Sequence, residues 1–188
     1  MTDSERPINT EDVVALKSGD ADALRRVFFL FQPRLYRFLW LKTRSVEAAE
    51  DLVQETFLRL WAARRNLKPT TKLEIYLFRI ASNLVRDELR KAERHGQVKV
   101  RIDVELAAAD SSDDAIKYSQ LARVVDQIVS TLPDAPKTAF LLSRYEELSH
   151  LEVSEVMGIS VRTVEKHIGN ALHVLKDGLR AFDITSSS

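Results

Sequence analysis

Cysteine is absent from this 188-residue chain, which removes any disulfide framework and any thiolate metal site and fits a reducing compartment. Glycine and proline number only five each, too few to interrupt long helices often. No run approaches the roughly 18 apolar residues of a membrane span, and the polar, acidic start from Met1 to Thr10 lacks the apolar stretch of a secretory signal. The expectation is a cytoplasmic protein that does not insert into a membrane. Chemistry-bearing constellations are missing too. His95, His150, His167 and His173 are scattered, and Asp51 and Glu55, one helical turn apart, have no histidine at ligand spacing. There is no glycine-rich phosphate loop and no nucleophile elbow. The chain therefore reads as a non-enzyme with no metal and no other cofactor.

An excess of one charge is also lacking, with 28 Lys and Arg against 28 Asp and Glu. Divided along the chain the balance is uneven: 18 basic against 14 acidic residues over 1–97, three against five over 98–119, and seven against nine over 120–188. What is present in abundance is apolar residues at helical spacing. The pattern predicts helices over Glu11–Lys17, Ala21–Thr43 with a bend at Pro33, Val46–Arg65, Thr71–His95, Asp114–Thr131, Asp134–Tyr145, His150–Met157 and Val161–Phe182. Strand signals are absent. Helical period is lost over Gly96–Asp113, which ends in a small-residue acidic run suited to a flexible linker. The reading is all-α, with two small helical domains, 11–95 and 114–182, joined by a linker over 96–113, and a frayed tail over Thr185–Ser188.

The most specific signal lies in Leu148–Leu175. Ser149 followed by Glu152 makes a capping box that starts a short helix. Gly158 ends it with a residue tolerant of positive φ, Ile159 anchors the turn, and Ser160 caps a second helix. On that second helix Val161, Val164, Ile168, Ala171, Leu172 and Leu175 form one apolar stripe, leaving Arg162, Thr163, Lys166, Asn170 and His173 on the other side. This is the pattern of a helix-turn-helix whose second helix meets base edges and phosphates. An ordinary packed helix pair with a solvated outer face is the plainer reading. The cations near the second helix, Arg162, Lys166, Lys176 and Arg180, would give a log–log salt slope on the order of −3 to −4, too little for tight independent binding.

Two surfaces stand out in the first half. Along Ala49–Trp61, Leu52, Val53, Thr56, Phe57 and Leu60 form a buried arc, while Asp51, Gln54, Glu55 and Leu58 share the opposite side. That set suits docking of a basic helix from another protein, and equally describes a solvated face with one exposed leucine. In the next long helix Leu77, Phe78, Ala81, Leu84, Val85 and Leu89 face the core, and Tyr76, Arg79, Asn83, Arg86, Arg90 and Arg94 face away. An aromatic, an amide and four arginines can stack an unpaired base, read its edge and track a phosphate backbone. Asp87 and Glu93 lie close by, so a salt-bridged solvent surface is the alternative.

In this order the two halves resemble a bacterial extracytoplasmic-function sigma factor of the sigma-70 family, over roughly Ala15–Arg94 and Tyr118–Leu179. The likeness is carried by residues 49–61 (AEDLVQETFLRLW) and 76–83 (YLFRIASN), then by Leu132-Pro133 ahead of Ala139-Phe140-Leu141-Leu142, and by the helix-turn-helix. The resemblance implies an initiation factor that binds core RNA polymerase, directs it to promoters and aids melting. It implies that Asp51, Gln54, Glu55 and Leu58 dock on the clamp helices of the largest polymerase subunit, with the flap of the second subunit as a further contact. It implies that Tyr76, Arg79, Asn83, Arg86 and Arg90, with Lys68 and Lys72, melt and hold the −10 element of promoter DNA. Arg162, Thr163, Glu165, Lys166 and Asn170 then match positions that read the −35 element. Tyr76 stands where tryptophan is more frequent, and Ser154 where alanine is. The runs 139–144 (AFLLSR) and 160–167 (SVRTVEKH) look most like the ferric-citrate-type subgroup, implying control of iron uptake through a membrane-bound anti-sigma regulator. Two other classes fit parts of the pattern: a free-standing helix-turn-helix regulator and a helical protein-interaction adaptor.

Overall fold

A computed structural model describes residues 8–94 and 113–186 of the chain, with no strand among them. The first helix, α1, spans Thr10–Ser18. Asn9 caps it, accepting from the Asp12 amide at 3.1 Å, while Asp12 Oδ2 accepts from the Asn9 amide at 3.0 Å. That reciprocal pair satisfies two of the amides a helix start leaves over. Asp12 is only 1% exposed, and its other oxygen accepts from Arg26 Nε and Nη2 at 3.2 and 3.1 Å, which ties α1 to the following helix. Gly19, at φ +92°, closes α1 in the left-handed region.

Helix α2 covers Ala21–Thr43, capped by Asp20, and runs unbroken through Pro33. Helix α3, Val46–Ala63, starts at a Ser45 cap and passes into a 3-10 turn at Arg64–Asn66. Helix α4 covers Leu73–Arg94. The predicted start at Thr71 is too early for a physical reason. Thr71 Oγ1 accepts from the Lys68 amide at 3.0 Å, so its side chain closes a turn, and the Lys72 carbonyl accepts the first helical amide, that of Tyr76, at 3.1 Å. The core of this unit is built from Leu16, Val27, Leu35, Phe38, Leu39, Leu60, Leu77 and Val85, with Phe38 and Phe78 edge to face at 5.6 Å. Each such side chain contributes about 1.5–3 kcal/mol on burial. Arg34 of α2 pairs with Glu74 of α4 and lies over the Phe31 and Phe78 rings, fixing those two helices against each other.

The chain divides into two compact units, the first holding α1 to α4 and the second the helices that follow, save for the last residues of the third of them. Helix α5 spans Asp113–Thr131, α6 Asp134–Arg144, α7 His150–Met157 and α8 Val161–Ser186. The predicted linker, 96–113, lies outside the described residues except for Asp113, which opens α5. Pro133 separates α5 from α6, its carbonyl accepting from the Lys137 amide at 3.0 Å. Between α6 and α7, Glu147 takes φ +56° and the Leu148 amide returns to the Leu142 carbonyl at 3.1 Å. Val129, Ala139, Leu141, Leu142, Val153, Val164 and Ala171 form the core of this unit. Helix α8 continues to Ser186, past the predicted end at Phe182, so only the last two residues of the expected frayed tail lie outside the described residues.

Candidate nucleic-acid and protein-docking interfaces

The helix-turn-helix forms from the interactions its sequence requires. Ser149 accepts from the Glu152 amide at 3.3 Å, and Glu152 Oε2 accepts from the Ser149 amide at 3.0 Å. Gly158 stands at φ +67°, the Ile159 amide bonds the Ser154 carbonyl at 3.2 Å, and Ser160 Oγ accepts from the Thr163 amide at 3.2 Å to start α8. Val164, Ile168, Ala171 and Leu175 are buried, whereas Val161 is half-buried and Leu172 is 43% exposed. Leu172 leaves the core because it lies at the edge of the stripe, about 60° from Leu175 on a helical wheel, where neighbouring helices no longer cover it.

Arg162, Lys166, Asn170 and His173 are exposed along the outer side of α8. Thr163 is half-buried, and its hydroxyl lies 2.8 Å from Ser160 Oγ, so it helps cap the helix. Glu165 sits on the flank, its carboxylate 3.9 Å from His150 Nδ1 of α7. Two glycines on α8 mark contrasting environments. Gly169 lies open on the outer side, while a Cβ at Gly178 would stand 2.7 Å from Ile128 Cδ1, so α5 and α8 approach closely there.

In the first unit, α4 presents Arg79, Asn83 and Arg90 as exposed side chains, with Tyr76 and Arg86 half-buried between them and the core. The Arg79 guanidinium lies 5.2 Å from the Tyr76 ring centre, an arrangement in which a cation already occupies an aromatic face. Leu89, expected in the core, is half-buried. Just ahead of α4, the turn from Lys68 to Thr71 is closed from both sides, the Thr71 amide returning to the Lys68 carbonyl at 2.9 Å. Leu67 and Leu73 are buried on either side of it, so the segment carrying exposed Lys68 and Lys72 is held outward by two apolar anchors.

On α3, Asp51, Gln54 and Leu58 are exposed; Glu55 is half-buried and pairs with Arg59 at 2.7 Å. All four line a groove of about 1170 Å³ between α3 and α4, opposite Asp87, Arg90, Lys91 and Arg94. Arg90, expected to belong with the nucleic-acid face, therefore also borders the acidic surface. Leu58, 55% exposed, stands at the rim shared with a second groove of about 570 Å³ formed by Phe28, Tyr36, Val53, Phe57 and Trp61. By sequence alone Leu58 reads equally well as an isolated leucine. The structure sets it in one groove with exposed Phe28 of α2, whose ring packs against buried Phe57 at 4.8 Å. Spacing within α3 could not find that partner, which comes from another helix.

Among the described residues no group of acidic, histidine or cysteine side chains suits a metal ion, and no helix is long and apolar enough to cross a membrane.

Two all-helical units, one with a helix-turn-helix and one with an arginine-bearing helix beside a groove, define a class of DNA-binding transcription proteins. Comparison with known proteins is specific. Residues 29–95 match the sigma-70 region 2 model and residues 122–173 the sigma-70 region 4 model. The extracytoplasmic-function RNA polymerase sigma factor SigW of Bacillus subtilis is 28% identical, over 88% of this chain and 93% of that protein. RNA polymerase sigma factor CarQ of Myxococcus xanthus is 32% identical, over 77% of this chain and 82% of its own length. The fold is shared with CnrH, solved in complex with the cytosolic domain of CnrY, at a TM-score of 0.71 and 23% identity over 92% of this chain and 97% of that one. It is shared also with the sigma factor RpoE of Bartonella quintana, solved with the anti-sigma factor NepR, at a TM-score of 0.71 and 22% identity over 83% and 96%. The chain belongs to the extracytoplasmic-function sigma factors of the sigma-70 family. It is a non-enzymatic initiation factor that gives RNA polymerase its promoter specificity.

Proposed function

We propose a division of this activity between the two units, with the first, 11–95, docking on polymerase and melting the −10 element and the second, 114–182, reading the −35 element. The observation that carries the reading is the exposed Arg79–Asn83 face of α4, the helix that follows the turn carrying exposed Lys68 and Lys72. A cation, an amide edge and an aromatic ring set close together can accept an extruded base, and the flanking lysines with Arg86 and Arg90 neutralise its backbone. Asp51, Gln54, Glu55 and Leu58 dock on the clamp helices of the largest polymerase subunit. Leu58 and Phe28, both exposed at the rim of one groove, support docking over simple solvation, since clustered exposed apolar side chains mark an interaction site. In the second unit Arg162, Lys166 and Asn170 face the major groove, with Glu165 at the flank and Thr163 holding the helix start; the flap of the second polymerase subunit is the partner of this unit.

Purified core polymerase separates these roles. Asn83→Ala should bind polymerase normally and open promoters poorly, as read by permanganate reactivity of the −10 thymines. Leu58→Asp should lose polymerase binding in a pull-down. Normal opening by the first variant and normal capture of the second would reject the two assignments independently.

A finer reading concerns control. Regulation by a membrane-bound anti-sigma protein acting in the cytoplasm, within an iron-uptake system, is supported by the runs 139–144 (AFLLSR) and 160–167 (SVRTVEKH). Run-off transcription over a genomic promoter library should then start upstream of transporter and regulator genes of iron uptake; start sites unrelated to them would reject the subgroup.

A further inference from the structure

We propose that α1 is a strut that sets the promoter-melting turn, with Lys17 as its positioning residue; this rests on the reading of Lys68–Lys72 as part of the −10 surface. Helix α1 precedes residues 29–95, the part matched as region 2, and none of the surfaces assigned to DNA or to polymerase includes it. Yet it is fixed at both ends. The capping box and the buried Asp12–Arg26 pair lock its start to α2. At its far end Lys17 Nζ donates to the Leu67 carbonyl at 3.0 Å, a link across 50 residues of sequence. Gly19 closes the helix there, and a Cβ in its place would stand 3.7 Å from Arg64 Nε. The same Arg64 lies 4.0 Å over the Trp61 ring and donates to the Trp61 carbonyl at 2.7 Å.

Leu67 is where this matters. Its side chain is 2% exposed, and the next residue, Lys68, opens the turn. A continuous set of bonds thus runs from Lys17 to Leu67, through the Lys68–Thr71 turn, to the Lys72 carbonyl that starts α4. A charged donor makes a stronger bond than a neutral one. Without it the turn keeps its Thr71 bonds and its Leu67 and Leu73 anchors but loses the tie to α1, and it spreads over more conformations, of which one suits the extruded base. The observed rate of promoter opening falls by the fraction of chains in that conformation. Lys17 is itself exposed, so water competes for this bond and its loss shifts a two-state balance roughly tenfold.

The test uses the full chain with core polymerase and one promoter fragment selected by run-off transcription, prepared both as a duplex and with its −10 bases mismatched open. Lys17→Met should slow opening of the duplex about five- to tenfold, leave core binding unchanged, and weaken binding to the pre-opened fragment by a similar factor with an unchanged salt slope. Lys17→Arg, which keeps a charged donor, should restore most of the rate, and Thr71→Val should slow opening as Lys17→Met does. If Lys17→Met opens the duplex at the parent rate while Asn83→Ala is slow, the strut is wrong and the −10 reading stands. If Asn83→Ala and Lys68→Ala both open it normally, the reading of the turn fails and takes the strut with it. A salt slope lower by about one for Lys17→Met on the pre-opened fragment would make Lys17 a direct phosphate contact and overturn the positioning role.

Discussion

Gly158, Gly169 and Gly178 should respond to alanine in three different ways, and the differences follow from local geometry. Gly169 is inside α8 with nothing within 4 Å of where a methyl would stand, so Gly169→Ala meets open space. The gain is helix propensity alone, about 0.5–1 kcal/mol. Gly158 also has open space, but its φ of +67° forces an alanine into the left-handed region. That substitution should cost about 1–2 kcal/mol. At Gly178 the backbone suits alanine, yet the methyl would meet Ile128 Cδ1, Cγ1 and Cγ2 at 2.7, 2.8 and 3.2 Å. Ile128 is β-branched and cannot swing all three carbons away by one rotation. Overpacking of about 1–3 kcal/mol then outweighs the propensity gain, giving a net loss on the order of 1 kcal/mol. Native-state amide exchange of α5 and α8 in the full chain reads the second unit separately from the first. The decisive comparison is Gly178→Ala in an Ile128→Ala background, where the same methyl should become stabilising. Loss of stability in both backgrounds would refute the close α5–α8 crossing. Gly169→Ala carries a second consequence: it should raise stability while lowering −35 recognition, because its methyl is added to the face assigned to the major groove.

Asp12→Asn should destabilise the first unit by about 3 kcal/mol, because it leaves the Arg26 guanidinium beside a buried neutral amide; urea unfolding followed through the two tryptophans of that unit checks it. Arg162→Ala should weaken binding of polymerase holoenzyme to its −35 element by about 1–3 kcal/mol and relax sequence preference at one position, and an unchanged footprint would return that side chain to the solvated surface.

Elements with complete local signals were legible from sequence. The boundaries of α7 follow from Ser149, Glu152 and Gly158, each of which acts on backbone within four residues of itself. The apolar arc of α3 was equally plain, since 3.6-residue spacing decides which side faces inward. Tertiary partners were not legible. Thr163 reads as an outward polar residue on a helical wheel, but Ser160 engages its hydroxyl. Leu172 has the right spacing for the core but lies at the edge of the stripe and is 43% exposed. Lys17 gave no signal at all, because its partner is a backbone carbonyl 50 residues away. Arg90 belongs to the arginine row by angle, and only the packing of α4 against α3 brings it to the acidic groove.

The charges of the second unit bear on why this protein works as a polymerase subunit. Its outer stripe offers Arg162 and Lys166 near the start of α8 and Lys176 and Arg180 farther along, all exposed. Acidic groups are interleaved with them: Glu165 lies 3.9 Å from His150, and Asp177 lies 3.3 Å from His173 Nε2. Each carboxylate near a phosphate offsets part of a contact, so the net counterion release is at most that of about four cations. Affinity of this order discriminates poorly against the excess of non-specific sites. Mounting the unit on an enzyme that already holds DNA replaces a bimolecular encounter with an intramolecular one, at an effective concentration in the millimolar range for a short connection. Few cations then become an advantage, because a strongly basic surface would bind DNA away from polymerase. Added lysines on α8, at Glu165 or Asp177, should therefore raise DNA binding by the isolated chain while lowering promoter selectivity of the holoenzyme. Selectivity that rises with them would mean that the acidic residues do not serve to keep the unit off non-promoter DNA.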